Sequence, residues 1–152
     1  MSINIKTAVF WLSGLAALNG LWACSSSKTG GMANMVARME VKEPIEGICD
    51  QANVLAILPF KGNGQEKAVA PLTDAEITEA LNSKVNFIKE QPDFEGEGMV
   101  NMIINCKGEL VRCEIDNKSQ SQELDREVVA VFAELQNWTP GKLHNKPVDT
   151  VV

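Results

Sequence analysis

The sequence predicts an α+β domain: a small antiparallel sheet with two helices packed on one face. Three stretches of the 152-residue chain carry that expectation. "LTDAEITEALNSKVNFIKE" repeats apolar residues at helical spacing. "MVNMIINCKGELVRCEI" alternates apolar and polar residues on both sides of a turn that contains glycine. "QELDREVVAVFAELQNW" returns to helical spacing and is then stopped by Thr-Pro-Gly. Periods near 3.6 and 2 separate helix from strand, because they set which side chains share a face.

Taken in order, "VLAILPF" (Val54 to Phe60) is a short apolar run that Pro59 and "KGNG" close, and its length favours a strand. A helix starts after Thr73. Thr73 and Glu76 have the spacing of a capping box, in which each side chain accepts the other's free backbone N–H. Ile77, Leu81, Val85 and Ile88 then fall on one face, and Pro92 with two glycines ends the segment. In the hairpin, Val100, Met102 and Ile104 share a side. Leu110, Cys113 and Ile115 give the apolar positions of the return strand, with an irregularity of register between them. Gly108 supplies the positive φ that the "NCKG" turn needs. The second helix runs from about Gln122 to Asn137 with Ser119 or Ser121 as cap, and buries Leu124, Val128, Val131, Phe132 and Leu135. Trp138 plugs the core at its end. Pro140 lacks an N–H and, with Gly141, turns the chain back, so "LHNKPVDTVV" supplies a short last strand beginning at Lys146 or Pro147.

The first 23 residues read differently. Thr7 to Ala23 holds no charge and follows the single cation Lys6, the pattern of a secretory signal peptide. "LWAC" resembles the bacterial lipobox, with Leu21 and Ala23 in the small or apolar positions and a departure at Trp22. The resemblance implies that Cys24 becomes the lipidated N-terminus, with palmitate among its chains. Residues 24–40 begin with "CSSSKTGG" and are expected as a flexible tether, and residues 41–152 as the domain.

From "GEGMVNMIINCKGELVRCEI" through "NWTPGKLHNKPV" the chain resembles the C-terminal domain of the TonB family. The motifs are the Asx-x-x-Gly turn at Asn105 to Gly108, Leu124-Asp125 at a helix start, Trp138 to Gly141, and Asn145 to Val148 leading into a strand. The energy transducer itself carries a histidine in an uncleaved membrane helix and a Pro-rich spacer. This chain has one histidine, His144, far from the leader, and no such spacer. It resembles the module without the motor. The family's last strand also runs further past its Pro-Val than this one.

The charge balance, 14 Lys+Arg against 20 Asp+Glu with no basic cluster, argues against nucleic acid as a partner. The chain has no G-x-S-x-G, H-E-x-x-H, P-loop or dinucleotide fingerprint, so no catalytic residue, cofactor or metal is assigned. His144 reads as a turn residue, and the acids of "ELDRE" as favourable charges at a helix start. With Cys24 lipidated, Cys49, Cys106 and Cys113 remain, an odd number for an oxidising compartment. Cys106 and Cys113 lie too far apart along a hairpin to bond. Cys49 therefore pairs with one of them, and Cys113 reads equally as a plain buried thiol.

The expected function is a non-enzymatic, lipid-anchored, periplasm-facing protein-binding or scaffold module, held at the bacterial (outer) membrane. Its partners are envelope proteins, or copies of itself. The resemblance implies binding by strand addition beside Lys146, Pro147, Val148, Val151 and Val152, because a short last strand leaves an open edge. The alternatives are a thiol or redox protein using Cys49, Cys106 or Cys113, and a structural envelope lipoprotein.

Overall fold

A computed structural model describes residues 35–58 and 64–152. The expected signal peptide (residues 1–23), Cys24 and most of the expected tether (residues 24–40) lie outside the described residues. Among those described, no helix is long and apolar enough to cross a membrane.

The fold is α+β, with two sheets and three α-helices among the described residues. The larger sheet has five strands in the order β1 (Ala37–Met39), β2 (Val54–Ala56), β8 (Thr150–Val151), β4 (Met99–Ile104) and β5 (Leu110–Asn117). A smaller sheet joins β3 (Gln65–Glu66), β6 (Lys142–Leu143) and β7 (Lys146–Pro147). The larger sheet is mixed, because β2 runs parallel to β8 while its other pairs are antiparallel. Residues 37–39, expected in the tether, are instead strand β1 and pair with β2 from Ala37↔Ala56 to Met39↔Val54.

The capping box of α1 (Asp74–Lys84) forms: the Glu76 N–H donates to Thr73 Oγ1 at 3.3 Å, and the Thr73 N–H to Glu76 Oε2 at 2.7 Å. The expected single helix is broken, however. Val85 is extended at φ −81° and ψ 108°, and a short α2 (Asn86–Glu90) follows. Packing decides the break. It turns Phe87 into the core beside Val85 and Val131, edge-to-face on Phe94 at 5.1 Å, and leaves Ile88 outside at 38% exposure. Burying an aromatic ring outweighs one turn of regular helix.

The hairpin keeps its expected faces. Met102 lies opposite Cys113 and Val100 opposite Ile115. Two residues are extra: Val111, between Ile103↔Arg112 and Ile104↔Leu110, and Asp116, between Val100↔Ile115 and Met99↔Asn117. α3 (Gln122–Ala133) is capped by Ser121, whose Oγ accepts the Leu124 N–H at 3.3 Å. Met102, Ile104, Leu135, Trp138 and Ala68 form the centre of the core between sheet and helices.

The last strand departs most from expectation. His144 and Asn145, at φ 50° and 64°, form a two-residue turn between β6 and β7. Lys146 and Pro147 thus belong to the outer strand of the small sheet. β8 follows separately and lies inside the large sheet, between β2 and β4.

Candidate functional site

An open backbone edge is the feature that the sequence places beside residues 146–152, so the hydrogen bonds there decide where the edge lies. The Leu55 N–H donates to the Asp149 carbonyl at 2.9 Å on one side. On the other, Met102 and Val152 exchange N–H···O=C bonds of 3.1 and 2.9 Å. The backbone around Val151 and Val152 is therefore paired, and these two residues are not an edge. The physical reason is that β2, from the other end of the domain, fills the place beside β8. Val148 is tied back by its N–H to the Gly141 carbonyl at 3.0 Å. Of the five residues expected at the edge, only Lys146 and Pro147 are on an outer strand, and that strand is two residues long.

The edges of the large sheet are β1 and β5. β1 has three residues, and just before it the Met35 carbonyl accepts the Gln65 side-chain amide at 2.7 Å. β5 has eight residues and, among the described residues, is paired only with β4. Its outward groups can be read from the ladder. Met102 spends its N–H and C=O on Val152, so Met102↔Cys113 is a non-hydrogen-bonded pair of the β4–β5 ladder. Cys113 therefore points its own N–H and C=O away from β4, and by alternation so does Ile115. An open groove of about 640 Å³ runs along this edge, between Cys113 and Ile115 of β5 and Arg126 and Val129 of α3.

The hairpin turn next to this strand is fastened by a second constellation. Cys49 and Cys106 form a disulfide with a Cα–Cα distance of 6.1 Å. Asp149, 1% exposed, accepts the N–H groups of Cys49 (3.1 and 3.2 Å), Asp50 (2.7 Å) and Cys106 (3.0 Å). Asn105, fully buried, donates its amide to the Gly47 carbonyl at 2.8 Å and accepts the N–H groups of Lys107 and Glu109. Segment 47–50, the 105–109 turn and the chain before β8 are thus one latch. The sulfurs of Cys49 and Cys106 and a carboxylate oxygen of Asp149 lie within 4.8 Å of one another. The sulfurs are bonded to each other and both carboxylate oxygens already hold backbone N–H groups, so the cluster works as a lock and not as a metal ligand set.

The sequence reading missed Asp149, and it placed Asn105 in the hairpin turn without its bond to the Gly47 carbonyl. An acid inside the apolar run Val148 to Val152 was a usable signal, because a charge there must find donors when buried. Replacing Asp149 with Asn puts an N–H₂ against backbone donors. The expected loss is about 2 kcal/mol of stability, read by urea unfolding. An unchanged midpoint would show that water replaces the carboxylate without penalty.

Cys113 is the free cysteine among the described residues. Burial, and then the neighbouring Glu114 carboxylate, push its thiol up from the ordinary value. A reactive thiol needs the opposite shift. Trp138 is buried, and its indole N–H donates to the Leu135 carbonyl at 3.1 Å. Its main-chain N–H donates to the Gly108 carbonyl, and a Cβ on Gly108 (φ 83°) would lie 2.1 Å from the Trp138 oxygen. Thr139 pairs with Val69 in an isolated bridge, and Gly141 passes so close to Thr150 that a Cβ would meet its methyl at 2.3 Å. The Trp-x-Pro-Gly residues are therefore a joint that brings the two sheets together.

Searches of protein families, curated proteins and solved structures find no match for this chain.

Proposed function

We propose that this chain is a lipid-anchored, periplasm-facing protein-binding module that docks an extended segment of an envelope protein along β5. The supporting observation is the eight-residue edge strand, paired on one side only among the described residues, with the groove against α3 beside it. An added strand would take hydrogen bonds from the outward groups of Cys113 and Ile115. Its alternate side chains would enter the groove near Val129. The anchor at Cys24 and the TonB-like motifs support the envelope setting, and strand addition is the mode that the resemblance implies. This moves the docking strand from the last strand to the hairpin.

The test uses Ile115→Pro. Proline removes an N–H that β4 does not use, whereas Ile115→Ala removes the side chain and keeps the N–H. A photo-crosslinking side chain at exposed Asp116 should give an envelope-protein adduct in cells. The adduct should persist in Ile115→Ala and fall at least about tenfold in Ile115→Pro, with both variants folded by circular dichroism. Equal adducts in the two variants would remove β5 as the docking strand.

A further inference from the structure

We infer that a second copy of this chain occupies the β5 edge, paired antiparallel to it about a two-fold axis through Cys113. The inference rests on the reading of β5 as a docking strand and names its partner.

Backbone direction is the first support. Cys113 turns its N–H and C=O away from β4. In an antiparallel ladder, a residue lying opposite its own copy can exchange two N–H···O=C bonds with it, provided both groups face the seam. A two-fold axis through Cys113 meets that condition, and the outward groups of Ile115 lie further along the same seam.

Charge is the second. Arg112 and Glu114 flank Cys113 and share the opposite face of the sheet. Within one strand they already form an ion pair of 3.0 Å, with both side chains partly exposed. In the proposed register, Arg112 of each copy lies opposite Glu114 of the other, so the match occurs twice. The neighbouring registers fail. An axis through Arg112 sets arginine on arginine, and one through Glu114 sets glutamate on glutamate. An axis through Ile115 meets the register shift at Asp116, so no regular ladder extends across it. Directly opposed like charges destabilise a strand pair and opposite charges favour it. Charged side chains on an edge ordinarily keep other strands away. Here their order keeps them away in the neighbouring registers and accepts the strand's own copy in one.

The third support is room. The groove beside Cys113 leaves the seam uncovered on the helix side. The Cys113 thiol is turned to the Val129 carbonyl of its own α3 at 3.8 Å, so it leaves the backbone seam free. The result is an isologous dimer with a continuous sheet through both copies.

The experiment is sedimentation of the full chain in density-matched detergent. Wild type should show a concentration-dependent dimer. Arg112→Glu and Glu114→Arg should each weaken it by about tenfold or more, because each replaces two attractions with two repulsions. An equimolar mixture of the two variants should recover the dimer, since one copy then offers two acids and the other two arginines. The double reversal should also recover it. Both positions are partly exposed, so the variants should fold. The inference is overturned if wild type stays monomeric, if neither reversal changes association, or if the mixture fails to recover it. A monomeric wild type whose Asp116 adduct is still lost in Ile115→Pro would overturn self-pairing and leave β5 as a docking strand for another protein.

Discussion

Trp138→Ala lowers the unfolding free energy by about 3–5 kcal/mol. The ring is 6% exposed and stands with Met102, Ile104 and Leu135 at the centre of the core. Its loss leaves a cavity that the sheet on one side and the helices on the other cannot close. The joint also suffers, because the Trp138 main chain is fitted against Gly108 in the hairpin turn. Against a total of about 5–15 kcal/mol for a domain, the variant is close to unfolded at physiological temperature. Circular dichroism during urea unfolding measures this. A midpoint shift worth less than about 1 kcal/mol would mean that the ring is held at the surface and is available for contacts.

Replacing Cys49 and Cys106 together with alanine costs about 4 kcal/mol. The bond closes a loop with a sequence separation of 57, and removing the crosslink returns that closure entropy to the unfolded chain. The Asp149 and Asn105 hydrogen bonds remain, so the folded arrangement of the latch should survive in outline. The melting temperature of the oxidised protein should therefore fall on adding a dithiol reductant, and the double variant should not respond to it. Equal melting temperatures with and without reductant would show that the hydrogen bonds alone hold segment 47–50 in place. Because the disulfide and Asp149 fasten the same contact, the Asp149→Asn loss should be non-additive with the cysteine replacements.

Local chemistry was the legible part of the sequence. Thr73 and Glu76 announce a helix start, and four residues suffice to read it. The hairpin faces follow from alternation, and its bulge from the spacing between Leu110 and Cys113. Trp138 before Thr-Pro-Gly reads correctly as a plug at a helix end. The break at Val85 was not legible, because Ile88 continues the helical period while Phe87 competes for the core with a larger ring. Sheet order was hidden for a different reason. Nothing between Lys146 and Val152 states that Val54 to Ala56 will lie beside it, since that pairing joins distant parts of the chain. The error about the edge followed directly, and with it the assignment of Val151 and Val152 as docking residues. Cysteine pairing was narrowed by hairpin geometry to Cys49 with Cys106 or Cys113. The choice needed the position of Asp149, which gathers the N–H groups of Cys49 and Cys106 at one point.

The place of β8 has a consequence for how the protein is made. Residues 150–151 fill the middle of the sheet, between strands synthesised much earlier, at 54–56 and 99–104. A growing chain that has not yet delivered them holds two half-sheets with facing, unpaired rims. Synthesis proceeds from the N-terminus, so the two halves can join only after residue 151 has emerged. Until then the sheet lacks its central strand, and the cooperative closure of the domain is a late, long-range step.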